Sequence, residues 1–371
     1  MQMKKRKFVI CIAIAFVAGG LLSGILCTAV AGGSSDRYSK LDEIYDMIES
    51  NYYDDIDEDA LLEEACRGLV SGLDDTYSSY MTADEYEEWK VTATGEYSGV
   101  GITFSEDEDG NFIIVSVTED SPAEEAGLKE GDIIFAADDK TYDDTDLIAA
   151  AIRGEAGTEV KITYSRDGEE DSVTLTREEI TQHSVYSEML DGNIGYIYIS
   201  SFIESTGDDF KEALEEIEEE GAEGLILDLR DNGGGLVTEC VEVADEFLDE
   251  GAIVYVEDKD GNRSSYNAED GKTDLKTVVL VNENSASASE ILAAALQDNG
   301  YELVGATTYG KGVIQSTAEL SDGSALKLTI MQYFSPDGNA INEKGVEPDY
   351  AVEYDEDAED DAQLDKALSL F

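Results

Sequence analysis

Ser287, Lys311 and Gln315 are the residues whose types and spacing suit them to chemistry. Ser287 lies in Asn282-Glu283-Asn284-Ser285-Ala286-Ser287-Ala288-Ser289-Glu290, and Lys311 follows 24 positions on, in Gly310-Lys311-Gly312, with Gln315 four residues further. A serine hydroxyl becomes a nucleophile when a base takes its proton, and a lysine serves once burial lowers its pKa enough to present the neutral amine. The alternative base is His183, the single histidine. It sits in a polar Thr181-Gln182-His183-Ser184 link and reads as solvated.

The elements around the serine decide what it can do. Val278-Val279-Leu280-Val281 reads as a short buried strand and Glu290 to Leu296 as a helix of good formers, so the serines occupy a strand-to-helix turn. The first amides of a helix lack internal partners and point along its positive end, which suits a developing oxyanion. Ser287-x-x-Glu290 equally reads as a capping box with a purely structural role.

Ser285 to Ile291, with Thr308-Tyr309-Gly310-Lys311-Gly312 and Gln315, resembles the carboxyl-terminal processing proteases, also called tail-specific proteases. The resemblance implies Ser287 as nucleophile, Lys311 as general base and Gln315 as the residue orienting the lysine. It also implies that Arg230-Asp231-Asn232-Gly233-Gly234-Gly235 supplies half of an oxyanion hole. The donors would be a backbone N–H of Gly233 or Gly234, between which the sequence does not choose, and that of Ala288. A glycine-rich turn opening a helix can also cradle phosphate, but neither the spaced-glycine dinucleotide pattern nor the Walker lysine is present. Asp228 and Arg230 read as braces of the turn.

Thr94 to Thr176 resembles a PDZ domain, most clearly in Ser121-Pro122-Ala123-Glu124-Glu125-Ala126-Gly127-Leu128-Lys129-Glu130-Gly131-Asp132-Ile133-Ile134. Such domains hold an extended peptide by β-augmentation, with loop amides on its terminal carboxylate. Gly99-Val100-Gly101-Ile102 is the loop in question, its glycines suited to close backbone approach. Arg153, just past the PDZ helix, reads as a sensor of peptide, a brace or a solvated arginine.

At 371 residues the chain accommodates two or three domains, and 42% hydrophobic residues exclude wholesale disorder. Asp and Glu number 86 against 24 Lys and Arg, a net charge of −62. A surface so negative repels nucleic acid and anionic lipid. Four cysteines form no disulfide framework. No metal-ligand cluster or nucleotide motif appears, so no cofactor is expected.

Lys4-Lys5-Arg6-Lys7 precedes Phe8 to Ala31, a run free of charge and long enough to cross a bilayer. Basic residues on its N-terminal side place the bulk of the chain outside. A retained anchor is favoured over a signal peptide cleaved at Ala29-Val30-Ala31, because the run exceeds a usual signal core. The expected organisation is a membrane segment at 1–35, a helical region at 36–94, the PDZ domain at 95–178, a protease core at 179–353 and an acidic tail at 354–371. The fold class expected is α/β: a ClpP/crotonase-like protease core, as the resemblance implies, with a PDZ insertion and a helical N-terminal segment that either mediates homodimer contact or caps its own protease. The function expected is that of an exported serine endopeptidase with a Ser/Lys dyad, cleaving proteins at or near their C-termini. It would work outside the membrane, or be secreted if the segment is cut. The alternative is a catalytically silent anchored PDZ scaffold that binds such tails.

Overall fold

The computed structural model describes residues 38–371, apart from 108–109, 119–120, 143, 167, 270–272 and 355–359. The expected anchor at 1–35 lies outside the described residues; among those described, no helix is long and apolar enough to cross a membrane. The chain divides into two compact units, residues up to 86 with 315–329, and 87–314 with 330–371.

The smaller unit begins with α1 (Ser39–Asn51) and α2 (Glu58–Ser71). Asp57 caps α2 by accepting from the Ala60 amide at 3.1 Å. A short strand, β1 (Ser79–Met81), pairs antiparallel with residues 325–327. Arg67 ties α2 to Glu85 at 3.1 Å. The apolar residues that share one face of α1 stay largely uncovered: Leu41 is 50% and Ile44 45% exposed, and Tyr45 and Ile48 are half-buried.

The larger unit follows α3 (Ala83–Thr94), whose first residues belong to the smaller one. β2 (Glu96–Gly99) opens a module that continues through β3 (Ile102–Glu106), β4 (Phe112–Val117), α4 (Pro122–Glu125), β5 (Ile133–Ala137), α5 (Thr145–Ile152), β6 (Glu159–Arg166), β7 (Glu169–Thr176) and β8 (Glu178–Thr181). β3 to β7 form one antiparallel sheet in chain order, with β3 at its edge, and β2 pairs with β8 at the neck. Ile114, Ile148 and Ile162, all fully buried, centre its own core. Buried Arg177 fixes the C-terminal end of α5 by donating to the carbonyls of Ile152 and Ala151.

The remainder is a layered α/β core: β9 (Val185–Leu190), β10 (Ile194–Ile199), α6 (Thr206–Glu219), β11 (Gly224–Asp228), α7 (Val237–Asp245), β12 (Gly251–Asp258), β13 (Arg263–Ala268), β14 (Lys276–Val281), α8 (Ala288–Asp298), β15 (Glu302–Gly305), β16 (Val313–Glu319) and β17 (Ala325–Phe334), whose residues 315–329 belong to the smaller unit, β18 (Tyr350–Ala351) and α9 (Ala362–Leu368). Six strands form a sheet in the order β18-β15-β14-β11-β10-β9, parallel except for β9. Every residue of β11 is buried, as expected of a strand covered on both faces. α6, α7 and α8 pack on one face around Phe202, Phe210 and Phe247, and α9 covers Ile226, Val278 and Leu280 on the other. Both the serine turn and the glycine turn therefore leave the same ends of adjacent parallel strands, the usual place for a site in such a sheet.

Candidate active site

The serine turn leaves β14, whose apolar residues are fully buried, and enters α8 at Ser287. Ser287 is half-buried with φ +57° and ψ −111°, a backbone conformation that costs a non-glycine residue about 1–3 kcal/mol and persists only where its surroundings impose it. Its neighbouring serines are committed to structure. Ser285 Oγ donates to the Leu229 carbonyl at 2.7 Å, and Ser289 Oγ to that of Asn232 at 2.9 Å. Leu229 immediately precedes the glycine turn and Asn232 lies within it, so the two outer serines clamp that turn.

Asn232 is the reciprocal anchor and has no exposed surface. Its carbonyl accepts from the Ala286 amide at 3.0 Å, its Nδ2 donates to Ile199, and its Oδ1 accepts from the Gly234 amide at 2.8 Å. Gly234 has φ +100°, and a Cβ there would stand 2.8 Å from Ser287 Cβ and 2.6 Å from the Ala286 carbonyl. Only glycine fits. The Gly234 amide is thus engaged by Asn232, whereas among the described residues no hydrogen bond engages the amides of Gly233 or Ala288. Asp231 adds a second lock: its carboxylate accepts from Asn282 Nδ2 at 2.9 Å and Asn284 Nδ2 at 2.7 Å, and those two bonds hold its pKa below the ordinary range.

Glu290 joins the serine to the lysine. It is fully buried, and four donors share its carboxylate. Oε2 accepts from the Ser287 amide at 2.9 Å and the Lys311 amide at 2.8 Å; Oε1 accepts from the Thr308 hydroxyl at 2.6 Å and the Gly310 amide at 2.7 Å. One carboxylate oxygen therefore bridges the backbones of the two residues with the chemistry. Buried Tyr333 makes a second bridge, its hydroxyl reaching the Ser287 carbonyl at 3.0 Å and the Lys311 carbonyl. Gly312 is fixed behind the lysine, where a Cβ would meet the Asn342 amide at 2.2 Å. Gln315 lies one residue past the division of the chain, in the smaller unit, with Nε2 donating to Thr329 Oγ1 at 3.2 Å.

Cys240 on α7 lies behind the first turn of α8, its thiol donating to the Ala288 carbonyl at 3.1 Å, and burial pushes its pKa up. Asp228 and Arg230 brace the glycine turn, as expected from sequence: Arg230 grips Asp228 at 2.6 Å and Asp361 at 2.8 Å. Burial opposes the guanidinium's charge, yet those partners outweigh it and its pKa lies above the ordinary value. His183 is exposed. Of the site residues, Glu290 was visible in sequence only as a capping partner. Asn232, Asp231 and Tyr333 carried no signal beyond lying in or near the turns.

In the PDZ module, Gly99, Val100, Gly101 and Ile102 line a cavity of about 310 Å³ between β3 and α5, and Arg153 lines it too. Gly101 has φ +81° and abuts Ser121, so the loop takes this shape only with glycine there.

A parallel sheet carrying a strained serine at a helix N-terminus, clamped to a glycine turn and tied to a lysine loop, defines a serine hydrolase; the antiparallel module with its open groove is a PDZ domain. Family models agree, matching peptidase family S41 over residues 193–352, a PDZ domain over 98–176 and the N-terminal domain of the activating protease CtpB over 28–85. The chain is 38% identical over 365 residues to the carboxy-terminal processing protease CtpA of Bacillus subtilis, covering 95% of this chain and 78% of that one. It is 36% identical over 320 residues to a probable CtpA-like serine protease of Staphylococcus haemolyticus, covering 84% of this chain and 64% of the relative. Among solved structures it resembles the photosystem II D1 C-terminal processing protease, with a TM-score of 0.51 and 30% identity over 86% of this chain and 87% of the other. The chain belongs to the C-terminal processing serine proteases of peptidase family S41, with a PDZ domain.

Proposed function

We propose that this protein is an exported endopeptidase that cleaves proteins at or near their C-termini through a Ser287/Lys311 dyad. The observation that carries the reading is the single Glu290 oxygen accepting from the amides of both residues. Neutral Lys311 takes the Ser287 proton as Oγ attacks the peptide carbonyl; the Ala288 amide and one from the glycine turn hold the tetrahedral oxyanion. With the Gly234 amide held by Asn232, Gly233 is the donor available in this conformation. Lys311 then protonates the leaving amine, and water releases the acyl group to regenerate Ser287. Gln315 orients the lysine.

The PDZ groove receives the substrate's free C-terminus, with Gly99 to Ile102 on the terminal carboxylate and Arg153 beside it. The core is of the ClpP/crotonase-like kind. The segment 1–35 anchors the chain with its catalytic part outside, and the exposed apolar face of α1 is a surface for homodimer contact. The deciding experiment is cleavage of an unstructured protein with an apolar tail by wild type, Ser287→Ala and Lys311→Ala. Loss of cleavage in both folded variants is expected. Cleavage surviving in either would remove that residue from the dyad, and tail binding without cleavage by the wild type would favour a scaffold.

A further inference from the structure

We propose that the PDZ groove selects tails with a lysine or arginine at the fifth residue from the end, through Glu106; this rests on the groove being a receptor for C-termini. β3 is the edge strand of its sheet, so one side of its backbone is open to an added strand. A tail whose carboxylate meets the amides of residues 99–102 runs antiparallel to β3 and pairs with it residue for residue. Its last residue then stands beside Ile102, its third from last beside Phe104 and its fifth from last beside Glu106.

Ile102 and Phe104 are half-buried and pack on the PDZ core, while Thr103 and Ser105 between them are exposed. Glu106 continues the parity of Ile102 and Phe104 and turns toward α5, its carboxylate accepting from Thr145 Oγ1 at 3.3 Å. That is a long bond between exposed groups, easily exchanged for a stronger partner. The end of the groove where the tail is apolar is thus lined by Val100, Ile102 and Ile152, and the far end carries a carboxylate poised across it. The chain's net charge of −62 attracts any basic peptide, so position along the tail, and not charge alone, is what identifies this contact.

Fluorescence anisotropy on the full chain with Ser287→Ala, which prevents turnover, measures it. Two labelled ten-residue peptides ending in leucine carry one lysine each, at the fifth or the eighth residue from the end, so that their net charges match. The first is expected to bind about threefold more tightly, the scale of a solvent-exposed ion pair. Adding Glu106→Gln should abolish the difference while leaving the unfolding temperature unchanged. Equal affinities, or a difference that survives Glu106→Gln, overturn the role of Glu106 and leave tail recognition standing. If neither peptide binds, the groove is no tail receptor and both readings fall.

Discussion

Glu290→Gln changes one oxygen to an amide nitrogen in a site where all four partners are donors. Turned toward Ser287 and Lys311, the new NH2 group would face two backbone N–H groups and lose both bonds. Turned the other way it faces the Thr308 hydroxyl, which has an oxygen to offer, and the Gly310 amide, which does not. The second orientation is cheaper, and it leaves one buried N–H unpaired at a cost of about 1–3 kcal/mol. The remaining two bonds, to Ser287 and Lys311, become neutral and longer, so the serine and lysine are held less tightly. A displacement of that kind is expected to lower kcat by about 10–100-fold, since each tenfold is about 1.4 kcal/mol of barrier, with KM little changed because substrate binding lies elsewhere. Glu290→Ala, which orphans all four donors, would cost about 4–12 kcal/mol on the same per-group scale, comparable to the whole stability of a domain, and should not fold. The assay pairs steady-state peptide hydrolysis with thermal unfolding, using exposed Glu283→Gln as a neutral control. Glu290→Gln cleaving at the wild-type rate, or Glu290→Ala unfolding at the wild-type temperature, would refute the bridge.

Other outcomes follow from the same geometry. Gly234→Ala places a Cβ 2.8 Å from that of Ser287 at φ +100°, and is expected to abolish cleavage and destabilise the fold by about 1–3 kcal/mol, measured by hydrolysis and by denaturant unfolding. Arg230→Met strands the nearly buried Asp228 carboxylate, a loss of about 3–5 kcal/mol visible as a lowered unfolding temperature. Acid should act oppositely on two places. Burial raises the Asp132 carboxyl, but Arg166 and the Lys129 amide outweigh it, so its pKa is depressed and the stability it gives the PDZ domain, present above its unfolded pKa, is lost as pH falls through the folded one. Burial holds Glu239 and Glu242 above their ordinary values, so their contribution is present below the unfolded pKa and is lost as pH rises through the folded ones. Hydrogen exchange across the carboxylate range should therefore show PDZ protection falling with acid while α7 gains it, and Arg166→Met should blunt the first effect.

Much of this was legible in the chain. The apolar run before the serines and the good helix formers after them announced the β14-turn-α8 junction, and the helix begins at Ala288, two residues before the expected start. The PDZ resemblance placed Gly99 to Ile102 on the groove they line. What the sequence did not disclose is the partner of a residue when that partner is remote. Glu290 looks like a local cap because its bonds to Thr308, Gly310 and Lys311 reach 18 to 21 positions ahead. β1 is only three residues long and exists because residues 325–327 pair with it, so local pattern gave no sign of it. In α1 the helical periodicity was legible, but whether its apolar face is covered was not, because that depends on what packs against it and not on local pattern.

Cys240 gives the catalytic turn a built-in clock. Its thiol is fully buried against the first turn of α8, with a pKa raised by burial, so an alkylating reagent meets a reactive thiolate only when α7 and α8 part. The rate at which that sulfur is modified reports how often the start of α8 opens. Partly exposed Cys66, in the smaller unit, can be followed separately by mass. Ligands that tighten the site would slow the clock, and the enzyme's own chemistry need never be measured to read it.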